Sequence, residues 1–450
     1  MSDGMGPWSP TLFAGKRFAV VGLGRNGLPA AHALAAMGAD VTVWDDGGAA
    51  APGLASHDPA RGYDGFDALV LSPGIPHLLP TPHPAAIAAR AAGIPILSDA
   101  ELLFQAVRAS GSKARFVGVT GTNGKSTTTA LVQHILVNAG VESAAGGNLG
   151  TAALALPLLG DAGVYVLEMS SYMLERLTTL RFDVAALLNL SPDHLERHGD
   201  MAGYIAAKRH IFDRHGTAVL GIDDPDTAAL AASMPCATVS GSAPADVWCD
   251  GTMLRDANGP IMPMAEAPAL PGPHNAQNSA AATAIARALG VPDAAIATGI
   301  AGFAGLPHRQ QRVGVIDGVT WINDSKATNA DATARALACY DRIIWIAGGQ
   351  SKAGGIEPLR ALFPCVAHAL LIGRDASLLA ATLADAGVPH SIPGTIEGAV
   401  AAARGLARQH DAGTVLLSPA CASWDQFTGF EQRGDRFRDL VLGTALERTA

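Results

Sequence analysis

The sequence predicts an α/β protein of three successive domains, each built on a mostly parallel sheet. Three observations carry this. Apolar, β-rich runs alternate with helix-like segments from Arg17 into the last third of the chain. Two of those runs end in glycine-rich turns that lead straight into a helix, GLGRNG from Gly22 and GVTGTNGKST from Gly118. The length, 450 residues, exceeds what one compact core usually serves and suits two or three domains. The expected boundaries are 1–110, 111–305 and 306–450.

In the first domain RFAVVGLG is a buried strand running into glycines. The helix-like LPAAHALAAMGA follows, then a second strand, DVTVWDD, which completes a βαβ unit. FDALVLSPGIP is a strand stopped by Ser-Pro-Gly, and IPILSDAELL is a strand entering a helix. A Gly-Ser break from Ser110 to Ser112 reads as a linker. The second domain opens with the strand ARFVGVT and the helix STTTALVQHILVNAG, which Gly140 stops. GVYVLEM, VAALLNL and TAVLGIDD are further strands. The stretch from Ser240 to Pro273, rich in Gly, Pro and Ala, shows no assignable pattern, and a helix resumes at HNAQNSAAATAIARALG. In the third domain VGVI-DG-VTWI predicts a hairpin closed by a two-residue type I′ turn. DRIIWIAGG, VAHALLIG and TVLLSPA are its other strands.

The formal net charge of −9 is spread without long blocks, which argues against a nucleic-acid binder. Local basic pockets for anionic substrates remain compatible with it. Five cysteines, at 236, 249, 339, 365 and 421, form no CxxC pair, so neither a zinc ribbon nor a redox motif is indicated. Free thiols fit a reducing cytosol. The N-terminal MSDGMGPWSP lacks the basic and apolar regions of a signal peptide. No run of about 18 apolar residues suggests a spanning helix. The expectation is a soluble cytoplasmic protein with no nucleic-acid partner and no transmembrane segment.

The second glycine turn carries the clearest chemistry. Its glycines would let backbone N–H groups turn inward on phosphate, and the helix N-terminus adds its positive end. Lys125 would reach the β and γ phosphates of a nucleotide, and Ser126 would hold Mg²⁺. The P-loop pattern has about four residues between its glycines; here five separate Gly118 from Gly124. The competing reading is a strand–helix turn with a surface lysine. Mg²⁺ needs further oxygen ligands. Glu168 ends the run VYVLE, so it should stand at the carboxyl edge of the same sheet, where His194 of NLSPDHLERHG also falls. Alone, each is an ordinary strand-end carboxylate or structural histidine. The first turn, GLGRNG, matches G-x-G-x-x-G, with Asp45 and Asp46 near the spacing that meets a ribose. By itself it describes an NAD-binding oxidoreductase. The same donors would equally hold the pyrophosphate of a UDP-linked substrate, and the residues do not separate the two.

Read end to end, the chain resembles the Mur ligases of peptidoglycan synthesis, and within them the branch that adds D-glutamate. The shared marks are GLGRNG, LSPG, TGTNGKST, EMSSYMLE, NLSPDHLERH, the lysine of AAKRHIF, GPHNAQN, PHR, NDSKATN, GGQSK and LSPACASWDQFTGFEQRG. The loop GTNGKS is common to that family and folylpolyglutamate synthase, whereas the EMSSYMLE and SPACAS phrases are narrower. The resemblance implies a Rossmann-like UDP-binding domain, a central P-loop ATPase-like domain and a C-terminal Rossmann-like domain that closes over ATP and the amino acid. It implies ATP-dependent addition of D-glutamate to UDP-N-acetylmuramoyl-L-alanine through an acyl phosphate, giving ADP and phosphate. Its cofactors would be ATP and two Mg²⁺ ions, its partners small-molecule substrates, and the protein a monomer.

The resemblance also assigns residues. Gly121, Thr122, Asn123, Gly124, Lys125, Ser126, Thr127, Asn275, Asn278, Arg309, Asp324 and Lys326 would contact ATP. Ser126 and Glu168 would bind one Mg²⁺, His194 and Lys208 the other. An ammonium cannot ligate a cation, so Lys208 would be carbamylated by CO₂; on sequence alone it reads as an exposed helix lysine. Lys125, His194 and Lys208 would be catalytic. Leu23, Arg25, Asn26, Asp45, Ser72, Gly74 and Asn148 would hold the UDP substrate, and Thr328, Lys352, Ser423 and Phe430 the D-glutamate. Cys421 reads as packing, since acyl transfer here needs no thiol. Gly429 stands where family members carry Asn. A relative adding L-glutamate would share these motifs. An NAD oxidoreductase leaves Lys125, Ser126 and Glu168 without a use.

Overall fold

The computed structural model describes residues 8–148, 150–352 and 354–443, so the signal-peptide reading of MSDGMGPWSP lies mostly outside the described residues. Contacts divide the chain into two compact units. One runs to Ala267 and includes Asn275–Phe303; the other is Pro268–His274 with the chain from Ala304 onward.

The first unit carries two sheets. Strands β1 (Arg17–Val21), β2 (Asp40–Trp44), β3 (Ala55–Ser56), β4 (Ala68–Leu71) and β5 (Ile96–Leu97) form a wholly parallel sheet in the order β3-β2-β1-β4-β5. Alternate residues of β1 feed two cores: Ala19 and Val21 pack with Leu69 and Tyr63, while Phe18 and Val20 face the other way. The second core continues without a break into Phe116, Tyr165 and Phe182 of the next sheet, which is why two sheets share one compact unit.

That next sheet has nine strands: β6 (Arg115–Thr120), β7 (Ser143–Gly147), β8 (Val164–Glu168), β9 (Phe182–Leu187), β10 (His215–Gly221), β11 (Ala237–Ser240), β12 (Val247–Cys249), β13 (Met253–Asp256) and β14 (Gly259–Pro263). Their order is β14-β13-β12-β11-β10-β9-β6-β8-β7. Pairing is parallel from β7 to β12 and antiparallel through β13 and β14. The unassigned stretch from Ser240 thus supplies an antiparallel meander. Its strands are too short to show a period, and Pro260 and Pro263 sit on the edge strand, where a missing N–H costs no ladder bond. The sequence also hid β7, whose SAAGG has no β-branched residue to signal a strand.

The second unit holds β15 (Gln311–Ile316), β16 (Val319–Asn323), β17 (Ile343–Gly348), β18 (Val366–Ile372), β19 (His390–Gly394) and β20 (Thr414–Leu417), in the order β15-β16-β20-β17-β18-β19. Only β15–β16 is antiparallel. Its turn places Asp317 at φ 53° and Gly318 at φ 80°, the left-handed pair a type I′ turn requires. The α/β class with mostly parallel sheets therefore holds. All five cysteines are free, and burial pushes the thiols of Cys339, Cys365 and Cys421 up to about 11. That suits the reading of Cys421 as packing. No described helix is long and apolar enough to cross a membrane.

Candidate active site

β6 lies between β8 and β9, and its carboxyl end delivers the chain into the second glycine turn. The spacing mismatch resolves here. Gly118 is inside β6, and a Cβ there would lie 2.8 Å from the Phe182 ring, so this glycine serves packing. The turn belongs to Gly121 (φ 149°) and Gly124 (φ 83°), and a Cβ on Gly124 would come within 2.3 Å of Asn278 Oδ1. Lys125 and Ser126 open the helix Lys125–Asn138. Lys125 Nζ donates to the carbonyls of Gly121 (2.8 Å) and Thr122 (2.7 Å), folded over the turn it would leave to meet phosphate. Asn189, which the sequence reading missed, fixes the turn: its Oδ1 accepts from Asn123 N (2.9 Å) and its Nδ2 donates to Asn123 O (3.2 Å). Asn275 and Asn278, expected at ATP, are both buried. Asn278 donates to Asn275 Oδ1 (3.0 Å) and accepts from Thr128 (3.2 Å), so the pair braces the turn and its helix.

Glu168 ends β8 in register with Val119 of β6, as its place after an apolar run predicts. It is 2% exposed. Its Oε1 accepts from Asn148 Nδ2 at 2.7 Å, and its Oε2 is buried with no hydrogen-bond partner. Lys208 is not an exposed helix lysine. It is 2% exposed at the end of the helix Met201–Arg209 and donates to Gly121 O (2.9 Å) and Thr120 Oγ1 (3.3 Å). Burial, and then the nearby Lys125, hold its ammonium well below the usual lysine range, while Asp193 and Glu168 oppose that. His194 follows β9 at φ 53°, with its side chain 47% exposed. Partial burial lowers its pKa; Asp193 and Glu196 raise it, and Lys125 and Lys208 lower it further. Lys208 and His194 thus both feel the charge of Lys125, and Lys208 also feels Glu168. Tyr204, also missed, joins them: its hydroxyl meets Thr122 Oγ1 (3.2 Å), and Lys208 Nζ lies 4.8 Å from its ring centroid.

Among the described residues no group of three or more His, Cys, Asp or Glu side chains could hold a metal by itself. An orphaned buried carboxylate oxygen near the phosphate turn nevertheless fits Mg²⁺, which takes one or two carboxylates and completes its shell with water and substrate phosphates.

The first glycine turn is built differently. Gly22 (φ 87°) would place a Cβ 2.6 Å from Ile75, and Gly27 would place one 1.8 Å from Gly22 O. Asp45, expected at uracil or ribose, gives one oxygen to Leu23 N (2.7 Å) and the other to Gly47 N (2.9 Å). Ser72 Oγ donates to Gly22 O (2.7 Å). Asn26 Nδ2 donates to Asp99 Oδ2 (3.2 Å) and Gly147 O (3.1 Å). With Asn148 on Glu168, most of the proposed UDP contacts hold the protein's own loops. Arg25 is exposed, and the Cβ position of Gly74 faces open space.

In the second unit His308 (φ 62°) and Gln310 (φ 44°) flank Arg309. Asp324 is buried, and burial pushes its pKa up to about 7; it accepts from Gln310 N (3.1 Å) and Ser418 Oγ (2.8 Å). Lys326 Nζ lies 4.0 Å from the centroid of the Phe430 ring. Phe430 opens the helix Phe430–Leu442, whose Arg433 is 1% exposed and donates to Ser325 O (2.9 Å) and Cys421 O (3.1 Å). Arg433 escaped the sequence reading because nothing in EQRG marks a buried cation. Gln350 pairs with Ala422, setting the loop of exposed Lys352 beside that of buried Ser423. Thr328 is half-buried just after Lys326.

Two family models match the chain. The Mur ligase middle domain matches residues 119–286, and the Mur ligase glutamate ligase domain matches residues 308–421. A protein of Paramagnetospirillum magneticum named UDP-N-acetylmuramoylalanine–D-glutamate ligase is 50% identical, over 96% of this chain and 98% of its own. Its namesakes from Caulobacter sp. (46%; 96% and 97% covered) and Rhizobium etli (45%; 95% of each) are similar. Among solved structures, the UDP-N-acetylmuramate-alanine ligase MurC of Thermotoga maritima shares the fold at TM-score 0.63 and 18% identity, over 95% of this chain and 99% of that one. MurF of Acinetobacter baumannii does so at 0.56 and 19%, over 85% and 92%. With both family domains in order and half its residues shared with one relative along nearly the whole length, the chain belongs to the Mur ligase family.

Proposed function

We propose that this chain is the ATP-dependent ligase that joins D-glutamate to UDP-N-acetylmuramoyl-L-alanine in peptidoglycan precursor synthesis. The observation that carries this is near-full-length identity with ligases of that name. The geometry of the phosphate turn supports it. An alanyl carboxylate oxygen attacks the γ-phosphorus, ADP leaves, and an acyl phosphate forms. The amine of glutamate then attacks the acyl carbon, and phosphate leaves. Two anions must meet in the first step, so the site has to be cationic. Lys125 would turn from the Gly121 and Thr122 carbonyls to the β and γ phosphates. Mg²⁺ held by Ser126 and Glu168, and by His194 with a carbamylated Lys208, would neutralise the phosphate oxygens. Lys208 is suited to carbamylation, because burial favours the neutral amine that CO₂ needs over the ammonium. Arg309, Asp324 and Lys326 would serve the nucleotide, and Thr328, Lys352, Ser423 and Phe430 the glutamate. Leu23, Arg25, Asn26, Asp45, Ser72, Gly74 and Asn148 would line or hold the uridine end. The division at 110 and 305, a cytoplasmic location and a monomeric state belong to the same proposal.

The test is phosphate release from ATP in the presence of UDP-N-acetylmuramoyl-L-alanine, with D- or L-glutamate added separately. Release dependent on D-glutamate is expected. Dependence on L-glutamate would keep the mechanism and change the product, and no release with either would overturn the reading.

A further inference from the structure

Two arginines to which the sequence reading gave no role, Arg197 within NLSPDHLERH and Arg176 just after EMSSYMLE, converge on one turn. Arg176 follows the short helix Ser171–Leu174, just past Glu168; it is 2% exposed. It donates to the carbonyls of Leu71 (2.6 Å), Ser72 (3.2 Å) and Ile75 (2.7 Å). Arg197 lies in the short helix Leu195–His198, just past His194. It donates to the carbonyls of Gly74 (2.9 Å) and Ile75 (3.4 Å). Its guanidinium also sits 4.2 Å from the Tyr172 ring centroid, and that ring is 5.3 Å from the ring of His194.

The turn between Leu71 and Ile75 is therefore held through its carbonyls by cations from the two segments that carry the proposed metal ligands. On its other side Ser72 is bonded to the first glycine turn. The turn itself is packed, with Leu71 buried and Ile75 against the core of the first sheet, but its surroundings are open. Leu78 and Leu79, just beyond the turn, are 51% and 45% exposed, and a cavity of about 420 Å³ separates them from Glu175, Arg197 and His198. The two guanidiniums oppose each other's charge, and Glu175 offsets part of that.

We infer that Arg197, with Arg176, is a positioning residue that couples the uridine-substrate turn to the His194 segment, so that substrate seated on Ser72–Gly74 sets the geometry where the acyl phosphate forms. This rests on the function proposed above.

The experiment compares wild type with Arg197→Ala and Arg197→Lys in the full chain. In Arg197→Ala, KM for UDP-N-acetylmuramoyl-L-alanine should rise about tenfold, while KM for ATP stays within about twofold. Arg197→Lys, which keeps one donor and the charge over Tyr172, should fall between. Hydrogen exchange of the substrate-free proteins is the second readout: amides of 71–76 and of 193–199 should both exchange faster in Arg197→Ala, and those of 121–128 should not. Equal KM changes for both substrates, or faster exchange in only one of the two segments, would overturn the coupling. A wild type that releases no phosphate would defeat the functional reading alone, and the exchange comparison would still decide the clamp.

Discussion

The two glycine turns share a strand-to-helix plan and differ in backbone and in one carboxylate. Each leaves the carboxyl end of a strand inside a parallel sheet and enters a helix. Beside the first, Asp45 has both oxygens committed to N–H groups of its own loops. Beside the second, Glu168 keeps Oε2 buried and without a partner, near the buried Lys208. On the function proposed above, a generic phosphate cradle would thus serve two different sites. Where the neighbouring acid is consumed by the protein, the turn suits a pyrophosphate with no metal of its own. Where it is left over, the turn suits a triphosphate that arrives with a hard cation.

The strongest break of this contrast is Lys125→Ala. Phosphate release should fall by about 10³-fold or more, with the melting temperature nearly unchanged, since the Gly121 and Thr122 carbonyls that lose a donor lie in the turn itself. Calorimetry beside the release assay checks both halves. Next is Glu168→Gln, which keeps the shape and removes the charge. Turnover should drop about 10²-fold, and the extra thermal stabilisation that Mg²⁺ adds to ATP should disappear. If Mg²⁺ still stabilised that variant with ATP, the orphaned oxygen would not be the metal's ligand. Asp45→Ala attacks the first turn and should act through structure: about 1–3 kcal/mol less stability in a denaturant melt, from two backbone donors left unpaired, and a raised KM for the UDP substrate with kcat little changed. The smallest effect is a null one. NAD should leave the melting temperature where it is, whereas UDP-N-acetylmuramoyl-L-alanine should raise it; a shift with NAD would reopen the oxidoreductase reading of GLGRNG.

What the sequence made legible was whatever repeats locally. The βαβ units, the helix after Lys125 and the Asp317-Gly318 turn follow from period and punctuation, and Glu168 was placed by counting to the end of its strand. What it hid depends on segments distant in sequence meeting in space. Gly118 looks like part of the phosphate turn until Phe182 is seen against it. Lys208 reads as exposed until Thr120 and Gly121 are seen around it. Asn26 looks like a ligand contact, yet its amide hydrogens go to Asp99 and Gly147. Asn189, Arg176 and Arg433 spend their polarity on distant backbone, which leaves no trace in local spacing. The meander from Val247 to Pro263 has strands too short for any alternation to register.

That meander has a consequence for how the protein behaves while it is being made. A nine-stranded sheet assembled from segments far apart in sequence pairs late, and its outer strands are open templates for a second chain during that delay. Of the two outer strands, β7 and β14, the second carries two prolines that cannot donate a ladder hydrogen bond to an incoming neighbour. Replacing Pro260 and Pro263 with valine would leave the catalytic residues untouched and turn a blunt margin into an adhesive one, so the cost should appear as insoluble protein during refolding and not as lost turnover in the soluble fraction.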